Sequence, residues 1–194
     1  SSKERGRQEN RFVDFFVATA MRLVHMLSQN RFGALPNGGG RMLTKTPAGL
    51  AEVMAVFGDP NALDFKDKLI VELDLPFPLF YAGKPVHRSR CHVKAKDHFL
   101  KALNGVLAAD LTDVVRNYGG ITSIPPRVKR TNSSDLSTHS WGIAIDIEPQ
   151  AYPLGSLKRL PDEVVRIFRD AGFFYGGDFK KTKDPMHFQL CVDY

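Results

Sequence analysis

The chain has 194 residues, a length that fits one globular domain with an appendage and leaves little room for two full domains. Its composition, 43% hydrophobic and 25% charged, supplies a real core and excludes a disordered, collagenous or coiled-coil chain. Lysine and arginine number 27 against 21 aspartates and glutamates, and the resulting +6 suits an anionic partner: nucleic acid, a membrane surface or an acidic cell-wall polymer. Charge alone does not choose among them.

The opening Ser1-Ser2-Lys3-Glu4-Arg5 lacks the apolar stretch of a signal peptide, and no run approaches the ~18 apolar residues of a membrane span. From Phe12 to about Leu27 the residues Phe12, Phe16, Leu23, Val24 and Leu27 recur at helical spacing, which predicts an amphipathic helix. Pro36 to Gly40 then breaks the chain, so residues 1–40 are expected to form a helical arm with a glycine-rich linker and residues 41–194 the main domain. Pro47 suits the first turn of a helix running to Val56, closed by Gly58-Asp59-Pro60. Lys68 to Leu73 is expected to be a strand, and Pro76, Pro78 and Pro85 an irregular loop before a second strand around Arg90–Val93.

A helix from about Ala95 to Ala109 would bury Phe99, Leu103, Val106 and Leu107, and Gly119-Gly120 would end the next turn. Gly142 to Glu148 alternates isoleucines with Ala144, Asp146 and Glu148, a strand with two carboxylates on one face. Pro161 opens a last helix to about Asp170, Gly172 caps it, and His187 to Val192 alternates as a C-terminal strand with His187, Gln189 and Cys191 on one side. This mixed order without regular βαβ alternation predicts an α+β fold, a small mainly antiparallel sheet flanked by helices. Cys91 and Cys191 lack metal or redox spacing and are expected as buried hydrophobes in strands, with a disulfide as the alternative. There is no phosphate-binding glycine loop and no Gly-x-Ser-x-Gly elbow.

The densest chemical signal is Ser137-Thr138-His139-Ser140-Trp141-Gly142-Ile143-Ala144-Ile145-Asp146. A histidine just before a strand and an aspartate on its polar face offer one nitrogen and one oxygen to a common site, and the small Gly142 and Ala144 admit another segment closely. Catalytic zinc usually takes three protein groups, and His187 in Asp184-Pro185-Met186-His187 is the candidate third, with Asp184 close enough to serve an attacking water. His25, His87, His92 and His98 are expected to be surface or structural residues, since six positions between His92 and His98 is not one helical face. Trp141 either lines a groove or packs under the strand.

These segments resemble the M15 zinc peptidases of bacterial cell-wall metabolism, which include D-alanyl-D-alanine carboxypeptidases and phage L-alanyl-D-glutamate endolysins. Ser137 to Asp146 fits the family pattern S-x-H-x-x-G-x-A-x-D at every fixed position, and Asp184 to Phe188 looks like the second motif, an acidic residue, two further residues, then histidine and an aromatic. Gly172-Phe173-Phe174-Tyr175-Gly176-Gly177-Asp178 resembles the glycine-aromatic segment of the L-alanyl-D-glutamate-like branch. Weaker similarity reaches back to about Gly49. Related lysostaphin-type peptidases end in His-x-His, whereas His187-Phe188-Gln189 lacks the second histidine.

The resemblance implies one zinc per chain held by His139, Asp146 and His187, with Asp184 taking a proton from the attacking water and returning it to the leaving amine. It implies Arg127 as the cation that holds the substrate carboxylate or stabilises the oxyanion, with Arg130 as the competing candidate. Ser137 either hydrogen-bonds near the site or fixes the turn before His139. The implied partner is the peptidoglycan stem peptide rather than nucleic acid, met at the bacterial cell wall after export or phage delivery. The implied activity is L-alanyl-D-glutamate endopeptidase. The alternatives are a D-alanyl-D-alanine carboxypeptidase and a non-catalytic zinc-containing cell-wall-binding module. Three positions depart from the common pattern: Asp184 stands where many members carry glutamate, Gln189 where glutamate commonly follows the His-Phe pair, and Tyr175 where tryptophan is frequent. The lysines of Lys180-Lys181-Thr182-Lys183 would border the site.

Overall fold

A computed structural model describes residues 42–122 and 136–193. The predicted N-terminal arm and its linker lie outside the described residues. The expected α+β class holds. The elements are α1 (Gly49–Phe57), α2 (Phe65–Leu69), β1 (Ile70–Tyr81), β2 (Lys84–His92), α3 (Lys96–Ala108), β3 (Tyr118–Gly120), β4 (Ala144–Ile147), α4 (Asp162–Asp170), β5 (Phe174–Tyr175) and β6 (His187–Gln189). Short 3-10 turns cover Val93–Ala95, Thr138–Trp141 and Gly176–Asp178. Strands β1 and β2 form one antiparallel sheet, and the other has the order β3-β4-β6-β5.

The proline-rich stretch is not a loop. It forms a long hairpin, closed by Ala82 and Gly83 at φ 49° and 77°, the two left-handed positions of a tight two-residue turn. Strand pairing breaks between Asp74 and Leu79, so Pro76 and Pro78 sit where no ladder hydrogen bond is needed. Pro85 faces Phe80, whose N–H donates instead to the Arg116 carbonyl at 2.8 Å.

Helix α3 buries His98, Phe99, Ala102, Leu103 and Val106. Leu107 was expected in that stripe but is 46% exposed, because one residue beyond Val106 turns 100° around the helix axis and off the buried face. Gly119 and Gly120 form part of β3 rather than ending a turn. Helix α4 starts after Pro161, buries Val164, Val165 and Phe168, and is followed by Gly172 at φ 94°. Phe168 stacks on Phe188 of β6 at 4.3 Å, and Tyr175 packs against the same ring at 5.0 Å. Trp141 is fully buried and donates from Nε1 to the Gly58 carbonyl at 2.8 Å, which settles it as a packing residue. Cys91 and Cys191 are free and buried, and burial pushes both thiols up to about 12.

His98 and His92 tie elements together, as expected of structural histidines. His98 accepts from the Leu43 N–H at 2.9 Å through Nε2 and donates from Nδ1 to the Ala171 carbonyl at 2.6 Å. His92 accepts from the Lys94 N–H at 3.0 Å through Nδ1 and donates from Nε2 to the Phe57 carbonyl at 3.1 Å. Burial holds the His92 ring down at about 4 from its ordinary 6.5, against the Phe57 carbonyl and with help from Lys94. Between these values the unfolded chain takes up a proton that the folded chain refuses, so this contribution is complete above pH 6.5 and is lost as pH falls toward 4. Thermal melts at pH 7 and pH 4.5 should therefore show a smaller acid loss of stability in His92→Gln than in the unaltered chain. An equal loss in both would show that His92 does not carry it.

Candidate functional site

In the pairing of β4 with β6, Asp146 stands opposite His187 and Ala144 opposite Gln189, while Ile145 faces Phe188. Paired residues share a sheet face and neighbours along a strand alternate. The apolar pair therefore enters the core, and the polar residues meet on the other side. His139 arrives from the 3-10 turn Thr138–Trp141. Ser137 opens that turn by accepting from the His139 N–H at 3.4 Å, and Gly142 ends it at φ 68°. A Cβ at Gly142 would lie 2.9 Å from both the His92 backbone nitrogen and Thr122 Cγ2. The expected close approach is thus real, and the end of β2 is the segment admitted.

His139 Nε2 lies 3.2 Å and His187 Nδ1 2.9 Å from Asp146 Oδ1. One ligand atom from each of the three residues falls within 4.8 Å of the others. His139 donates from Nδ1 to the Ile121 carbonyl at 2.9 Å, which leaves Nε2 to present a lone pair when the ring is neutral. His187 Nε2 sits 3.0 Å from Gln189 Oε1 and 3.2 Å from Thr138 Oγ1. Asp184 lies on the loop before β6. Its N–H donates to the Gly176 carbonyl at 2.9 Å, and its own carbonyl accepts from the His187 N–H at 3.0 Å. Its Oδ1 is buried without a hydrogen-bond partner among the described residues. Ser137, Thr138, His139, Asp146, Phe179, Asp184, His187 and Gln189 line one cavity of about 340 Å³.

Burial works against the charge on Asp146, but the hydrogen bonds and charges of His139 and His187 prevail and hold its carboxyl well below the usual range. Burial likewise pushes His139 down, and Asp146, the Ile121 carbonyl and Asp184 together raise it above its ordinary value. Asp184 is raised, first by burial and further by the charge of Asp146, with His187 and His139 opposing. An acid held above the ordinary carboxylate range, beside two imidazoles and an ionised carboxylate, is suited to moving a proton.

Glu148 was expected to share the face of Asp146 and does not. At φ 53° it turns out of the strand, and its carboxylate accepts from the backbone N–H groups of Arg116 and Asn117 and from the Asn117 side chain. Arg127 and Arg130 lie outside the described residues. Of the two roles open to Ser137, its hydroxyl performs the turn-fixing one, and it also lines the cavity. Two contributors escaped the sequence. Thr138 occupies a variable position of the motif and carries no signal there. Gly119 reads in sequence as the end of a turn, yet a Cβ there would lie 2.6 Å from Asp146 Cβ. Only glycine lets β3 lie against Asp146.

Residues 130–190 match the family model described as D-alanyl-D-alanine carboxypeptidase, among the M15 peptidases. The match spans both histidine motifs and supports the resemblance to that family, whose members act as peptidases. No curated protein and no solved structure matches the chain. Two imidazoles and a carboxylate also suit zinc by donor chemistry, and His139 has the outer hydrogen bond that such ligands use.

Added zinc is expected to raise the unfolding temperature of metal-free protein near neutral pH, since a ion bound only by the folded state stabilises it. Asp146→Ala should abolish that rise in a scanning-fluorimetry titration. A rise of equal size in the variant would place zinc elsewhere.

Proposed function

We propose that the chain is a zinc-dependent peptidase that hydrolyses the peptide part of bacterial peptidoglycan, as an L-alanyl-D-glutamate endopeptidase. One observation carries the reading: the His139-Asp146-His187 donor group shares its cavity with the buried, unpaired carboxylate oxygen of Asp184. A module that merely binds needs three ligands but gains nothing from a fourth, desolvated acid.

In this reading His139 Nε2, Asp146 Oδ1 and His187 Nδ1 hold the metal. Zinc bound there would supply a Lewis acid that polarises the scissile carbonyl and lowers the pKa of water from about 15.7 to about 7. Asp184 accepts a proton from the attacking water and delivers it to the departing amine, and its raised affinity for protons fits both halves of that exchange. Arg127, with Arg130 as its rival, is assigned to the substrate carboxylate or the developing oxyanion. Exposed Lys180 and Lys181, on the loop leading to Asp184, would favour an anionic stem peptide. The place of action is the bacterial cell wall. Among the described residues no helix is long and apolar enough to cross a membrane.

The second reading is a D-alanyl-D-alanine carboxypeptidase, favoured by the description of the matching family model. The glycine-aromatic segment Gly172 to Asp178 favours the endopeptidase.

Elemental analysis should find about one zinc per chain, and a metal-free protein of full activity would overturn the mechanism. Asp184→Ala should keep zinc but lose about 10²–10⁴-fold in hydrolysis, and unchanged turnover would remove Asp184 as the base. Mass spectrometry of digested peptidoglycan identifies the bond. A newly free D-glutamate amine supports the endopeptidase, released D-alanine the carboxypeptidase, and no new terminus the binding module.

A further inference from the structure

A neutral imidazole offers a lone pair from only one nitrogen, and its outer hydrogen bond decides which. For His139 the Ile121 carbonyl makes that choice. For His187 the choice is made by a side chain, and the reasoning starts at a backbone carbonyl two residues beyond it.

The Gln189 amide is buried, with the residue only 3% exposed, and its Nε2 lies 3.1 Å from the Cys191 carbonyl. A carbonyl accepts and never donates, so the NH₂ end must point there and Oε1 must point the other way. Turned over, the amide would set Oε1 against the Cys191 oxygen, acceptor against acceptor. In the observed orientation Oε1 meets His187 Nε2 at 3.0 Å and accepts from the Thr138 hydroxyl at 3.1 Å. An unprotonated Nε2 would face that oxygen lone pair to lone pair, whereas a protonated one donates to it. Nδ1, 2.9 Å from Asp146 Oδ1, donates to that carboxylate while it carries a proton, and when a cation takes that proton's place the proton left on the ring is the one on Nε2.

We propose that Gln189, anchored by the Cys191 carbonyl and braced by Thr138, is a positioning residue that holds His187 in the Nε2–H tautomer and so presents Nδ1 to the metal. This rests on the metal-site reading above. It also gives the departure at Gln189 a physical content: an amide, unlike a carboxylate, has one end that accepts from His187 and another that donates to the strand backbone.

The test uses the full chain. Long-range ¹H–¹⁵N spectra of the zinc-loaded protein near neutral pH should show His187 protonated at Nε2 with Nδ1 on the metal, and a proton on Nδ1 would overturn the proposal without any variant. Competition with a chromophoric chelator should show zinc bound about 10- to 100-fold more weakly by Gln189→Leu. Gln189→Glu, which keeps an acceptor for His187 but sets an oxygen against the Cys191 carbonyl, should weaken zinc binding less than Gln189→Leu does. Equal weakening in both variants would mean that the acceptor facing His187 contributes nothing, and wild-type affinity in Gln189→Leu would mean that the amide sets nothing; either result removes the proposal. Absence of zinc binding by the unaltered chain would instead remove the metal-site reading itself, and the proposal with it.

Discussion

The pairing of β4 with β6 is the constraint on which the rest of the site depends. It sets Asp146 opposite His187 because Ile145 and Phe188, one step along on each strand, are committed to the core. Slipping the register by one residue would turn Phe188 toward the cavity and His187 into the apolar interior. Burial of a large apolar side chain is worth about 1.5–3 kcal/mol, and Phe188 is further held between Phe168 and Tyr175. The aromatic cluster on one face of the sheet thus keeps the polar constellation on the other in place. Ala144 belongs to the same arrangement, since a small residue opposite Gln189 leaves room for the amide.

The polar face is electrostatically uneasy in the metal-free protein. Asp146 and Asp184 are both partly withdrawn from water, and with neutral imidazoles they would bring two negative charges into one cavity. Gathering like charges away from solvent is costly unless something compensates. The protein responds by raising the proton affinity of His139 and of Asp184 while leaving Asp146 ionised between two imidazoles. A divalent cation would supply the same compensation without those protons. Affinity for such an ion is then expected to compete with protons, as it does wherever histidine and carboxylate must be deprotonated to ligate.

Much of this was legible in the sequence where a residue's role follows from local pattern. The alternation through Ile143 to Asp146 and through His187 to Gln189 gave the faces of both strands, and His139, Asp146 and His187 do converge. Failures occurred where long-range pairing overrides local signal. Pro76, Pro78 and Pro85 suggest a loop, but a pairing break absorbs the first two, and the Arg116 carbonyl, just before β3, serves the partner of the third. Glu148 kept the alternation in sequence and lost it in space, because a left-handed turn directs it to the backbone of Arg116 and Asn117. Gly119 could not be assigned to Asp146 from composition, since its importance lies in a side chain it lacks.

The aspartate at position 184 is where departure from the common family pattern and local geometry meet. An aspartate is one methylene shorter than glutamate, so its backbone must stand nearer to whatever its carboxylate serves. The loop is drawn in at this point: the Asp184 N–H is held by the Gly176 carbonyl, and the Asp184 carbonyl holds the His187 N–H. A Cβ on Gly176 would lie 2.5 Å from the Asp184 carbonyl oxygen and 3.1 Å from His187 Cβ, so only glycine permits that approach. The 3-10 turn carrying Gly176 is in turn pinned from outside, where Arg159 and Arg169 both pair with Asp178 and Arg159 also donates to the Gly177 carbonyl. A short acid is thereby carried on a backbone held close to His187. Gly176 and Asp184 thus belong together, since only glycine at 176 lets the main chain that carries this short acid lie against His187.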